Sequence, residues 1–185
     1  MLKRKIYQSL IDWKKQKEKM CLVVKGARQV GKTFIIDKFA RENYENYIYI
    51  NFDENPGYKA IFDGDLDVNN LIKQISLRVP NANLVPKKTI IFLDEIQNCP
   101  NARTALKFLA LDKRFDVIAS GSLLGINYKE VESFPVGYTE QLEMNSLDFE
   151  EFLWANGITE QSILDVKNFF DKKEVVPKAM HDRMM

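Results

Sequence analysis

Apolar residues recur along this chain with two different periods, and the alternation between them lays out the fold. Ile6, Leu10 and Trp13 fall at i, i+4 and i+7 among lysines, and Lys17 extends the stripe through its aliphatic stem. That spacing predicts an amphipathic helix at the start of the chain. Cys21 to Lys25 is instead a continuous apolar run ending in glycine, the pattern of a strand buried on both faces. Lys32 to Asn43 reads as helix. Tyr47 to Phe52 is rich in aromatic and β-branched residues and predicts a second strand, which Asn55-Pro56-Gly57 stops as a turn. A further helix falls within 65–79.

Thr89 to Leu93 is continuous hydrophobe closed by Asp94-Glu95, and Phe115 to Ala119 closes on Ser120-Gly121-Ser122. Both predict buried parallel strands. Between them, Pro100 to Asp112 sets Ala102, Ala105, Leu106 and Leu109 on one helical face, with Pro100 in the first turn where its missing N–H is harmless. Glu140 to Asn145 predicts a last strand. Asp148 with Glu151 three residues on opens a helix that Gly157 ends, and Thr159 to Lys173 is another amphipathic helix. Pro177 opens a further helical stretch. Strands alternating with helices predict an α/β fold, a three-layer αβα sandwich on a mainly parallel sheet, because parallel neighbours need crossover connections. The expected division is a basic helix over 1–20, a core over 21–147 and C-terminal helices over 148–185.

Composition adds limits. The 185 residues are 45% apolar and 29% charged, with 12 Phe, 7 Tyr and 2 Trp, enough for one globular core without disulfide staples. Cys21 and Cys99 have no CxxC partner, which suits a reducing compartment and speaks against a zinc site. No run approaches the 18 or so apolar residues that span a bilayer, and the N-terminus is too charged for a signal-peptide core. The expectation is a cytoplasmic protein without a membrane segment. Residues 1–19 carry seven Lys/Arg against two Asp/Glu, while residues 20–185 carry a net −4. That segment is either a solvated helix face or a weak nucleic-acid footprint through Lys3, Arg4, Lys5 and the lysines from Lys14 to Lys19. His181 is the single histidine, which rules out a histidine triad or a multi-histidine metal centre.

The chemistry concentrates after the first strand. Gly26, Ala27, Arg28, Gln29, Val30, Gly31, Lys32 and Thr33 match GxxxxGK[ST] between a predicted strand and a predicted helix, the context this motif requires. Glycines let the backbone curl with its N–H groups inward, and that nest with the helix N-terminus binds phosphate oxygens. Lys32 reaches the β and γ phosphates, Thr33 offers its hydroxyl to Mg2+, and Phe34 completes the predicted ATP-binding set. Asp94, delivered to the carboxyl end of a buried strand, is the second expected magnesium ligand, acting through water. Glu95 is the candidate general base. The acidic pair, with a strand lying between the phosphate-loop strand and the acidic strand, predicts the ATPase branch of these folds; NKxD, the guanine signature, is missing.

Ser120 or Ser122 either senses the γ phosphate or ends the strand in an ordinary turn. Asn51 either restrains Glu95 or caps its own turn. Tyr7 is a candidate for stacking on the adenine. Phe149, Phe152, Leu153 and Trp154 are expected to pack as core.

GARQVGKT, IIFLDEIQN, ASGSLLGI, FPVGY and LDFEEFLWANG together resemble a group of prokaryotic AAA-type ATPases over nearly the whole chain. The resemblance implies Gly31, Lys32 and Thr33 on phosphates and magnesium, Asp94 and Glu95 as the acidic pair, and Ser120 at the sensor position. It also implies a helical lid and a further C-terminal domain beyond these residues, and an assembly with itself or a partner protein. Such enzymes usually take an arginine from a neighbouring subunit. Relatives often carry a basic residue where this chain has Tyr138, so Arg28, Arg103 and Arg114 stay unassigned candidates. The implied activity is Mg-dependent ATP hydrolysis driving a conformational change, the alternative being a regulatory ATP-binding module with little turnover.

Overall fold

The computed structural model describes residues 2–122, 135, 137–178 and 182. His181 and most of the segment after Ser122, including Leu123, Leu124, Phe134 and Val136, lie outside the described residues. Contacts group the chain into two compact units, Ser9–Asn145 and a smaller one of Met1–Gln8 with Ser146–Met185.

Among the described residues the larger unit is an α/β layer structure on five parallel strands, β1 (Cys21–Lys25), β2 (Asn46–Asn51), β3 (Thr89–Asp94), β4 (Asp116–Gly121) and β5 (Thr139–Glu143), in the order β2-β3-β4-β1-β5. β4 thus separates the glycine-loop strand from the acidic strand, as expected. Cys21, Val23, Ile48, Ile50, Ile91, Leu93, Val117 and Ala119 join one core, covered by α3 (Val68–Arg78), α4 (Pro100–Asp112) and the 3₁₀ segment Pro56–Phe62. The alternate residues face α2 (Lys32–Asn43), on which α1 (Ile6–Lys15) packs through Trp13, whose ring centroid lies 6.5 Å from that of Phe39. All six residues of β3 are buried, which is why that strand reads as unbroken hydrophobe. β5 is an edge strand and half exposed.

Two expectations change here. Lys17 lies beyond α1, which ends at Lys15, so it adds nothing to the buried stripe of Leu10 and Trp13. Beyond β2 the chain does more than turn. Asn55 accepts from the Gly57 N–H and starts a 3₁₀ helix that buries Ile61 and Phe62.

The smaller unit is held by caps and charges. α5 (Phe149–Ala155) opens with the capping box read from the sequence: Asp148 accepts from the Glu151 N–H at 2.8 Å, and Glu151 accepts from the Asp148 N–H at 3.2 Å. Glu151 is also buried against Arg4, 3.2 Å away, and accepts from the Lys5 N–H at 2.7 Å. Lys5 pairs with Asp148 and Glu150, which raises its pKa to about 12. The expected aromatic core does not form. Of Phe149, Phe152, Leu153 and Trp154 only Leu153 is buried, whereas Phe149 is 67% and Phe152 52% exposed. α6 (Glu160–Asp171) buries none of its residues. Among the described residues no helix is long and apolar enough to cross a membrane.

Candidate functional site

A parallel sheet brings all its carboxyl ends to one edge, and a crevice forms where neighbouring connections diverge. Here that point is the end of β1, flanked by β4 and β5. The ladder register then places the polar residues that close each strand on one rung. Asn51 pairs with Asp94, Val24 pairs with Ser120, and Ser120 stands one residue past the Leu93 and Ala119 pair, next to Asp94.

Gly26 to Gly31 form the loop between β1 and α2. A Cβ on Gly26 would lie 2.1 Å from the Met144 carbonyl oxygen, so the first glycine of the motif is required by the close passage of the chain after β5. Gly31 caps α2 in the left-handed region, φ 94°, and has no side chain to satisfy the first-turn N–H groups. α3, α5 and α6 are each capped by a side chain, from Asp67, Asp148 and Thr159. The N-terminus of α2 is therefore left open to an anion. Lys32 is buried and donates to the carbonyls of Gly26 at 3.0 Å and Ala27 at 2.7 Å. Burial pushes its pKa below the usual lysine value, Glu95 and Asp94 pull it back up, and Arg28 lowers it further.

Asp94 is the centre of the site and is 1% exposed. Its Oδ2 accepts from Thr33 Oγ1 at 2.8 Å and from the Tyr49 hydroxyl at 3.1 Å, and its Oδ1 accepts from Ser120 Oγ and from the Glu95 N–H at 3.0 Å. Both oxygens are thus doubly occupied. Ser120, fully buried, bonds Asp94. Glu95 stands in the left-handed conformation, φ 53° and ψ 44°, and its carboxylate accepts from Gln97. A cleft of about 490 Å³ opens over these groups, lined by Arg28, Gln29, Gly31, Lys32, Thr33, Phe34, Asp53, Glu95 and Asn98. Phe34 is exposed at its wall.

Other candidates are placed elsewhere. Asn51 does not bond Glu95: its Oδ1 accepts from the Asp53 and Glu54 N–H groups, and its amide donates to the Tyr49 hydroxyl at 2.9 Å. It caps its own turn. Arg114 pairs with Asp112 and Asn69 before β4, at the edge of the sheet opposite the glycine loop. Among the basic residues of the N-terminus, Lys3 pairs with Glu160, Lys14 bonds the Asn43 carbonyl and Lys19 meets Asp116 at 2.6 Å, so much of that charge is spent within the chain.

Two contributors escape sequence reasoning. Tyr49 carries its own signal in period two, since it shares a strand face with Asn51, but only the register shows that this face meets Asp94. Gln97 stands within IIFLDEIQN, but nothing in that stretch announces its bond to Glu95.

Thr33 Oγ1 donates to Asp94 Oδ2 at 2.8 Å and keeps its lone pairs for a hard cation, whose octahedral shell takes oxygen ligands at about 2.0–2.1 Å. Among the described residues no group of three or more His, Cys, Asp or Glu could hold a metal. Protein oxygens alone do not complete such a shell, which magnesium normally fills with water and nucleotide phosphate.

Comparison with known proteins follows the same lines. The model of a family described as "AAA domain" matches residues 18–153. An uncharacterized protein of Methanocaldococcus jannaschii is 29% identical over 132 residues, covering 71% of this chain and 27% of its own length. One of Haemophilus influenzae is 26% identical, covering 89% of this chain and 40% of its own. The chain thus spans well under half the length of these relatives. Among solved structures, Drosophila ORC bound to DNA superimposes with a TM-score of 0.53 at 14% identity, covering 90% of this chain and 48% of that one, a likeness of fold. With the family model matching nearly three quarters of its residues, the chain belongs to the AAA domain family and is a nucleotide-binding module of the AAA type.

Proposed function

We propose that the chain is a magnesium-dependent ATP hydrolase domain that couples its nucleotide state to a conformational change in a following region or a partner. The observation that carries this reading is the 2.8 Å approach of Thr33 to a buried Asp94, directly beside Glu95 and at the mouth of an uncapped helix N-terminus. The loop amides from Gly26 to Gly31 and the first turn of α2 cradle the phosphates, and Lys32 places its charge on the β and γ oxygens. Thr33 and, through water, Asp94 would hold magnesium, which when bound neutralises developing charge on the phosphates. Tyr49, Ser120 and the Glu95 N–H fix the Asp94 carboxylate in place. Glu95 takes the proton of a water that attacks the γ phosphorus while the bond to the β–γ bridging oxygen breaks, releasing ADP and phosphate.

The core for this work is 21–147, with 148–185 the beginning of a lid region. An arginine supplied by a second subunit completes the charge balance, and Arg28 stands at the exposed mouth of the cleft. Thermal melting with Mg-ATP, Mg-ADP and Mg-GTP tests the binding. We expect adenine nucleotides to raise the melting temperature of the wild type and not of Lys32→Ala, because a ligand that binds only the folded state stabilises it. Glu95→Gln should keep that protection and lose turnover by at least 100-fold, the scale of general-base catalysis. Hydrolysis at the wild-type rate by Glu95→Gln removes the base assignment.

A further inference from the structure

Gln97 follows Glu95 within the 3₁₀ turn Ile96–Asn98. Its Nε2 donates to Glu95 Oε2 and stands 3.5 Å from Ser122 Oγ, just past the end of β4. Its Oε1 is buried and meets no donor among the described residues. The orientation follows from the chemistry of the pair: an ionised carboxylate only accepts, so the NH2 group must face Glu95 and the carbonyl must turn away. With the NH2 committed to Glu95, the carbonyl is left without a donor among the described residues.

Gly121 gives the carbonyl its room. A Cβ at that position would lie 2.3 Å from Gln97 Oε1. Gly121 sits in extended strand, so backbone freedom does not account for a glycine there. Glu95, for its part, is a non-glycine residue in the left-handed region, with its backbone N–H engaged by Asp94. Its main chain is thereby set, and its carboxylate is set by Gln97.

Resting on the hydrolysis reading above, we propose that Gln97 is the positioning residue for Glu95, fixing the carboxylate that receives the water's proton and tying it to the end of β4. The base and the strand that carries Ser120 then move together. Misplacing a reacting group by about an ångström costs on the order of 100-fold in rate, so removing this restraint has a measurable effect.

The experiment measures steady-state Mg-ATP turnover of the wild type, Gln97→Ala, Gln97→Glu and Gly121→Ala, together with the melting shift each shows on adding Mg-ATP. Gln97→Ala is expected to lower kcat roughly 10- to 100-fold while KM and the melting shift stay within about twofold of wild type. Gln97→Glu keeps the size but brings no donor toward the carboxylate, and falls at least as far. Gly121→Ala pushes a methyl onto the Gln97 carbonyl and reproduces the pattern at several-fold, without altering a residue of the cleft. The proposal is overturned if Gln97→Ala retains kcat within about twofold, or if KM rises in step with the loss. A wild-type chain that is protected by Mg-ATP and turns none over overturns the hydrolysis reading and this inference with it. Wild-type turnover with indifferent Gln97 and Gly121 variants overturns this inference alone.

Discussion

In the unit built on Ser9–Asn145, every residue of β3 is buried and the apolar positions of four strands lie in the core or against a helix. In the unit of residues 1–8 with 146–185, α6 buries nothing, and Phe149, Phe152, Leu164 and Phe170 are all more than half exposed. Beside the buried Leu153 and Ile158, that unit rests on polar contacts: the Asp148 and Glu151 box, the Arg4 and Glu151 pair, and Lys3 lying 4.8 Å from the centre of the Trp154 ring. The difference teaches that an apolar stripe specifies a helix without specifying what covers it. Side-chain burial depends on a partner surface, whereas a cap is satisfied locally.

The comparison breaks most visibly at Phe92, fully buried in the sheet unit and 5.4 Å from Tyr49 between ring centroids. Phe92→Ala should cost about 4 kcal/mol in chemical denaturation followed through Trp13, the tryptophan of that unit. Glu151→Ala is expected to come next. It takes one partner from the half-buried Arg4 and removes half of the capping box, for about 1–2 kcal/mol read from Trp154 fluorescence in a Trp13→Phe background. Acid sharpens the same point. The Glu151 N–H and Lys5 hold the Asp148 carboxyl below the usual range. Its contribution is therefore complete above the unfolded value of about 3.9 and is lost as pH falls through the lower folded value. Helix content measured from pH 7 to pH 2 should show the α5 end of the transition below pH 4, and Asp148→Asn should abolish that component. The smallest effect belongs to Phe149→Ser and Phe152→Ser, each about 1 kcal/mol or less, because both rings are more than half exposed. A larger loss would mean those rings are covered in solution.

The parallel strands and their helices were legible because continuous apolar runs and capped, periodic segments each admit few interpretations. Lys32–Asn43 and Pro100–Asp112 agree to the residue. GxxxxGKT, Asp94-Glu95 and Ser120 were legible as a set, since each closes or follows a strand, and all strands end on one edge. Tyr49 and Gln97 were not. Their partners are set by strand register and by a tight turn, which neither residue's local pattern announces. The role of Gly26 was half visible: the motif asks for a flexible residue, but the Met144 carbonyl that excludes a side chain comes from more than a hundred residues away. Phe149 and Phe152 depart from the expected core because helical spacing names no surface to pack on.

The fourfold engagement of Asp94 also bears on how this site can change over generations. Thr33, Tyr49, Ser120 and the Glu95 amide come from four separate stretches of chain and share one carboxylate. Any replacement of Asp94 strands several donors at once, and each donor altered alone leaves the others still tuned to a carboxylate. Single steps away from this arrangement therefore run downhill, and a route to a different chemistry must pass through simultaneous changes on three strands. The motif is held in its sequence by the company that one side chain keeps.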